Sequence, residues 1–521
     1  MIEDAKINPT LDNPITPVAR RLGIASLYVV LGNAYTLVVG LPLQIYVSHV
    51  LGPDGVGVYG LLEAVVTTIA AFLDLGIGSV TIRFLPAYLQ CGEYGKALGL
   101  VRLGGTILIT VGIVAYGIML LSLPWIGTLW PEVTVYRKEI AIMGLLIPLG
   151  LLTYFLQQSL RGFQEIRHIV LGSVLQLSSK TVLTLGAFAI GLRLYGYVSA
   201  MVLGTLCGFL WLLYQVHART RILSDAEAST SEYSQWYRYA FISFSAGSLV
   251  VIAETGLDRF LVGGFIGSGA VGVLLIARQL QSFPERFNQM LLMIGAPLLS
   301  AAYGRHDHRE RQHIYCLMTD WSVRCSLPLV LFFIAYGHPV LALYGPEFAN
   351  RGTLPLQILV AAQFFGSLCG PLGNVALMSG LERHYLFITI ASALLLAVLL
   401  FVLIPHFGLV GAAIAIASSI LFVNLGTMFL VKRKLNLHWW DKRYRAWLPQ
   451  AGANLLLVLL VCYLPLNLGA IELLMLLATM YALALFVSIP FGMHEDDRDL
   501  FSHVWAEFQR FLRIYPRSHQ K

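Results

Sequence analysis

Glu63, Thr67 and Asp74 recur along one stretch of apolar sequence, and Arg278, Gln281, Glu285 and Asn288 along another. At about 100° per residue, each set falls broadly on one face of a helix. Acids, a base and carboxamides on one face can hydrogen-bond a polar ligand, hold an anionic group or form ion pairs. A charge among apolar side chains is costly and is kept where it faces protein or a water-filled cavity. The two stripes therefore read as the walls of a cavity. The alternative is that Glu63 and Arg278 form a structural ion pair, and the readings agree if the pair forms in only one conformational state. No catalytic apparatus accompanies these residues: the chain has neither a phosphate-binding glycine loop of the GxxxxGKS kind nor a nucleophile elbow. The reading is of a protein that is not an enzyme and has no cofactor.

Other polar residues in apolar sequence extend the candidate site. Glu254 and Asp258 lie one helical turn apart and are candidates for coupling to a proton or sodium gradient or to the membrane potential. Arg259 points about 100° away from Asp258 and is placed at the membrane interface, where a long side chain can snorkel. Arg83 and Arg161 have the same reading, as headgroup contacts. Asn33, Gln44, Gln157, Lys180 and Arg286 complete the cavity candidates, and Lys180 stands out because a deep ammonium group needs a partner. Six scattered cysteines and the run His306–His313 give no metal-binding pattern; that run reads as a solvated loop.

The elements that must position these residues are helices in a bilayer. Of 521 residues, 57% are hydrophobic and only 12% charged, and the mean hydropathy is +0.73; a soluble chain carries about 25% charge. Apolar runs of about 20 residues match the length of helix that crosses a bilayer core of about 30 Å. Continuous rather than alternating hydrophobicity excludes a β-barrel. The fold class is thus an all-α polytopic membrane protein of about fourteen spans: 22–47, 56–88, 98–122, 139–160, 169–190, 196–216, 238–264, 270–300, 314–336, 354–378, 385–404, 408–431, 447–465 and 470–490. Lys and Arg concentrate on one side, most densely at Lys432, Arg433, Lys434, Lys442, Arg443 and Arg445, with only Arg137, Lys138, Arg193, Arg259 and Arg351 on the other. The positive-inside rule then puts both termini in the cytoplasm. The net charge of +7 is mostly this topology signal rather than a sign of nucleic-acid binding.

An internal repeat organises the spans. Gly52-Pro53-Asp54-Gly55-Val56-Gly57-Val58 and Gly267-Ser268-Gly269-Ala270-Val271-Gly272-Val273 share Gly, Val, Gly and Val at an offset of 215 residues. The same offset takes Glu63 to Arg278, Thr67 to Ser282 and Asp74 to Gln289. Equivalent elements are six spans apart, so two six-helix lobes share one orientation about a pseudo-twofold axis, with a central cavity between them. The expected organisation is an N-terminal tail (1–21), an N-lobe (22–216), a linker (217–237), a C-lobe (238–431), a basic loop (432–446), an appended helix pair (447–490) and a C-terminal tail (491–521).

Residues 49–98, beginning HVLGPDGVGVYG, resemble the opening signature of the polysaccharide-transporter family, which includes the O-antigen-type oligosaccharide flippases of the multidrug/oligosaccharidyl-lipid/polysaccharide (MOP) exporter superfamily. LDRFLVGGFIGSGAVGV resembles that family's seventh-span element, and Pro297 matches its proline late in span eight. Tyr59 keeps the aromatic position of the first motif, whereas Leu274 replaces it in the second. The resemblance implies alternating-access flipping of a polyprenyl-diphosphate-linked oligosaccharide to the periplasmic leaflet of a bacterial inner membrane. Among the cavity candidates the cationic Arg278, Arg286 and Lys180 suit the diphosphate, and the partners implied are membrane lipids and a polymerase with its chain-length machinery. The rival readings are a flippase for the lipid-linked peptidoglycan precursor, a cation-coupled multidrug antiporter, and a passive scramblase or assembly scaffold.

Overall fold

The structure, a computed structural model, describes residues 15–129, 134–222, 233–241, 244, 256–304, 308–463 and 469–492. Among them there is helix and no strand. The helices are α1 (Ile15–Leu73), α2 (Ile77–Cys91), α3 (Tyr94–Leu129), α4 (Arg137–Gly144), α5 (Leu146–Gly162), α6 (Ile166–Ala189) and α7 (Leu194–Ile222), followed by a short helical segment at 233–241. The second half continues with α8 (Leu257–Phe265), α9 (Ser268–Gly304), α10 (His308–Ala342), α11 (Pro346–Cys369), α12 (Leu372–Met378) and α13 (Glu382–Leu435). A 3₁₀ turn at Lys442–Ala446 leads into α14 (Trp447–Tyr463) and α15 (Ala470–Gly492).

Nine helical segments among the described residues are long and apolar enough to cross a membrane. Several expected spans are built differently from simple rods. Spans eleven and twelve form one 54-residue helix, α13, broken at Gly408 (φ 56°, ψ −133°). At 1.5 Å per residue it would run about 80 Å, more than twice the hydrocarbon thickness, so the break divides two crossings. Span one joins the first part of span two in α1 across Gly52 (φ 66°). Span two itself ends early: Leu75 and Gly76 both take positive φ, and the chain restarts as α2. Span ten stops at Gly370 (φ 71°) and Pro371, which has no N–H to continue the ladder, before the short α12. About half of span seven, including Glu254, lies outside the described residues.

Helices α1–α7 pack mainly on one another, as do α8–α13, and the two halves meet chiefly along α1 and α9. The second half has two apolar clusters, and the larger also takes in α14 and α15. The final pair is fixed to α10 by polar contacts in buried surroundings. Asp320 and Arg324, one turn apart on α10 and almost fully buried, pair at 2.7 Å. Trp447 Nε1 donates to Asp320 Oδ1 at 2.8 Å, and Gln450 Nε2 to the Arg324 carbonyl at 2.8 Å. Tyr444, in the turn before α14, stacks on Trp447 with ring centroids 4.1 Å apart, and burial pushes its hydroxyl pKa up.

The repeated glycine motifs pack against each other. A Cβ at Gly57 would lie 1.7 Å from the carbonyl oxygen of Ser268, and one at Gly272 would lie 2.1 Å from that of Pro53. Gly57 and Gly272 are equivalent in the repeat, as are Pro53 and Ser268, so the contact is reciprocal. Only glycine permits this approach of helix backbones. It joins the start of α9 to the second arm of α1 and places the two polar stripes beside the join.

Candidate functional site: a polar cavity beside crossed ion pairs

Beyond the glycine contact lie two ion pairs, one across the junction and one within the second half. Arg259 Nη1 donates to Glu63 Oε2 at 2.9 Å and also reaches the Gly60 carbonyl at 3.3 Å. Arg278 Nη1 donates to Asp258 Oδ2 at 2.6 Å, with the Asp258 side chain only 1% exposed. The other Asp258 oxygen accepts from the Arg259 backbone N–H at 2.8 Å, so this carboxylate is held from two sides. Both partners come from the first turn of α8, where successive residues project about 100° apart. One turns to α1 and the other to α9.

The alternative reading, a Glu63–Arg278 ion pair, is not formed: each residue finds its partner on α8. Arg259, expected at the headgroup boundary, instead takes its guanidinium to Glu63, because α8 is packed against α1 there. Tyr59 ties this junction to the first half. Its hydroxyl donates to Glu63 Oε1 at 3.1 Å, and its ring meets Tyr197 edge-on at 4.9 Å. Lys180 lies over the far side of this aromatic pair, its Nζ 4.9 Å from the Tyr197 centroid.

A cavity of about 500 Å³ opens next to Arg278, between α9, α11, α12 and α13. Of the polar stripe on α9, Arg278, Gln281, Glu285 and Asn288 all line it. Among the described residues six carboxamides face it, Gln281, Asn288, Gln289, Gln363, Asn374 and Asn424, with hydroxyls of Tyr385, Thr389, Ser392 and Ser419. Several of these groups hold one another in place. Gln281 Nε2 donates to Gln363 Oε1 at 3.1 Å, Ser322 donates to Asn288, and Ser392 and Ser419 share a 2.7 Å hydrogen bond. The break at Gly370–Pro371 is what brings Asn374 to this wall. With Arg278 neutralised by Asp258, the lining is rich in uncharged donors and acceptors. Such a surface can bind hydroxyls and amides by paired hydrogen bonds.

The sequence reading misses Gln363, Asn374, Asn424, Tyr385 and the serines of α13. Each is a single polar residue in an apolar span, a pattern shared with ordinary interhelical hydrogen bonds. The remaining candidates do not reach this cavity. Asp74 sits at the α1–α2 break, Arg286 lies over Phe283 with its guanidinium 5.1 Å from the ring centroid, and Arg83 stacks 4.5 Å from Tyr239. Asn33 and Gln44 lie on the first arm of α1, and Gln157 and Arg161 on α5. Among the described residues there is no cluster of three or more metal-ligating side chains.

This arrangement of two helical halves defines a membrane protein with the fold of the MOP-superfamily transporters. An inward-facing multidrug-resistance transporter of the MATE family, MOP superfamily, superposes with TM-score 0.64 at 16% identity, covering 77% of this chain and 94% of that one. The lipid II flippase MurJ, in its inward closed conformation, superposes with TM-score 0.67 at 13% identity, covering 91% and 100%. A sequence profile of the polysaccharide biosynthesis protein family matches residues 24–303, more than half of the chain, and the chain belongs to that family. The teichuronic acid biosynthesis protein TuaB of Bacillus subtilis (strain 168) is 22% identical over 278 residues, 52% of this chain. A probable multidrug resistance protein NorM of Rhizobium meliloti (strain 1021) is 25% identical over 244 residues, 44% of this chain. The chain spans about half the length of these relatives, 55% and 50% respectively.

Proposed function

We propose that the protein is a flippase that moves a polyprenyl-diphosphate-linked oligosaccharide between the leaflets of a bacterial inner membrane. The two lobes would alternate their access from the cytoplasmic to the periplasmic side. The observation that carries this reading is the amide- and hydroxyl-lined cavity within the membrane-embedded second half of a polysaccharide biosynthesis family member. Its volume of about 500 Å³ falls within the range of about 300–1,000 Å³ usual for small-molecule sites. In this reading the cavity takes sugar hydroxyls, and the anionic diphosphate turns towards Lys180, which has no carboxylate partner among the described residues. Membrane lipids, and a polymerase with its chain-length machinery, are the partners this reading assigns, with both termini in the cytoplasm.

Structural neighbours named as a transporter and a flippase support transport rather than catalysis. The multidrug-resistance neighbours keep coupling to a proton or sodium gradient, or to the membrane potential, as part of the proposal. Asp258 is less suited to that role than the sequence implies, because it is buried and already paired with Arg278. Glu254, the other coupling candidate, lies outside the described residues.

The test is flipping of a fluorescent polyprenyl-diphosphate-linked sugar in proteoliposomes. Asn424→Leu and Gln363→Leu should each lower the rate about tenfold, the effect of about 1.4 kcal/mol, while the protein still inserts and folds. Wild-type rates in both variants would overturn the assignment of the cavity to the sugar. A protein that moves no lipid-linked sugar would instead favour a scaffold, and movement indifferent to any imposed gradient would favour a scramblase.

A further inference from the structure

A second recess lies on the other half of the molecule and takes no part in the junction or the polar cavity. Helices α3 and α7 both pack on α5 but barely touch each other, which leaves a groove of about 590 Å³ above α5. Its floor is apolar and buried: Val101 on α3, Phe155 and Leu156 on α5, and Val216 on α7. Ile109 and Leu213, at its sides, are 41% and 42% exposed. Gly105 keeps the groove open; a Cβ there would meet nothing nearer than the Phe155 ring edge at 3.6 Å.

One end of the groove is basic. α3 begins and α7 ends at the same edge, so Arg102, His217 and Arg221 come together on one rim, with Thr106 and Thr220 nearby. Among the described residues, no acidic side chain lines the groove. Arg102 lies seven residues before Ile109, about 10 Å along the helix axis. The recess therefore has a cationic mouth and a hydrocarbon-like interior running inward from it. At roughly 30 Å³ for each water-sized group, its volume accommodates about twenty methylene groups, which is one acyl chain.

We propose that this groove binds an anionic glycerophospholipid, its phosphate held by Arg102 and Arg221 and one acyl chain laid against Phe155. Guanidinium groups bind phosphate by charge-assisted, often bidentate, hydrogen bonds. The lipid chain fills the contact that α3 and α7 do not make directly and bridges the outer helices of the first half. A zwitterionic lipid fits the apolar floor equally but brings no net charge to the rim.

The full-length protein, purified in detergent, tests this by native mass spectrometry with dioleoylphosphatidylglycerol or dioleoylphosphatidylcholine added. The wild type should retain one phosphatidylglycerol at least about tenfold better than phosphatidylcholine, from the attraction of two basic side chains for an anionic lipid. The Arg102→Gln/Arg221→Gln variant should lose that preference, and Gly105→Leu, which plugs the floor, should lose retention of both lipids. The thermal unfolding midpoint and elution volume of each variant should stay close to wild type, so loss of lipid is read on folded protein. Equal retention of the two lipids by the wild type would overturn the proposal, as would retention unaffected in both variants. Displacement of phosphatidylglycerol by millimolar inorganic phosphate would also overturn it, because the rim would then be a site for free phosphate.

Discussion

The two halves share a duplicated frame but differ in what they carry on it. Their glycine contact is symmetric: Gly57 and Gly272 sit at equivalent positions and each approaches the other half's backbone carbonyl. The ion pairs beside it are not. Asp258 and Arg259 supply both partners from α8, whereas the residues 215 positions earlier are Leu43 and Gln44. The second half also holds the amide-lined cavity, while the first has an outward groove with a basic rim. Close packing of helices restricts both copies to small residues at the contact. Charge is under no such constraint, because an ion pair needs one acid and one base however they are divided. The symmetric contact sets where the halves join, and the charges beside it differ between the halves.

This comparison can be broken at its symmetric part first. Gly57→Ala and Gly272→Ala should each destabilise the folded protein by about 3 kcal/mol or more, beyond ordinary overpacking, because the obstructing atoms are backbone. Gly117→Ala, on a glycine with nothing within 4 Å of its added Cβ, should be neutral. Thermal unfolding in detergent measures all three, and clearly unequal losses at Gly57 and Gly272 would break the reciprocity.

The charged part should respond in proportion to burial. Asp258→Ala leaves Arg278 facing a buried site without its carboxylate and should cost about 3 kcal/mol, the usual penalty for breaking a buried pair. Glu63→Gln removes the charge of a pair whose side chains are 27% and 20% exposed. It keeps a hydrogen-bonding group for Tyr59 and Arg259 and should cost only about 1 kcal/mol. A loss at Glu63 equal to that at Asp258 would show that the two pairs share the load across the junction. Unfolding midpoints of the two single variants and the double variant separate these outcomes.

The membrane-spanning helices, the duplication and the polar face of α9 were legible in the sequence. Apolar runs of about 20 residues, a fixed offset of 215 and a 3.6-residue period are local or regular signals. Arg278, Gln281, Glu285 and Asn288 line the cavity because one helix face must point one way. The divergent directions of Asp258 and Arg259 were legible for the same reason.

Their partners were not. Arg259 meets Glu63 across 196 residues of sequence, and Gln281 meets Gln363 across 82. Nothing local to Gln363, Asn374 or Asn424 distinguishes a cavity wall from an ordinary interhelical hydrogen bond. The reading of Glu63 with Arg278 followed from symmetry, which the backbone obeys and the charges do not. By itself the sequence determined the helices, their duplicated frame and the face that α9 turns inward, because helical period and bilayer thickness act residue by residue. Only the tertiary structure decided which charge meets which and where space is left between helices. Those outcomes depend on the breaks at Gly76, Gly370 and Gly408 and on how side chains distant in sequence fill the volume between packed helices.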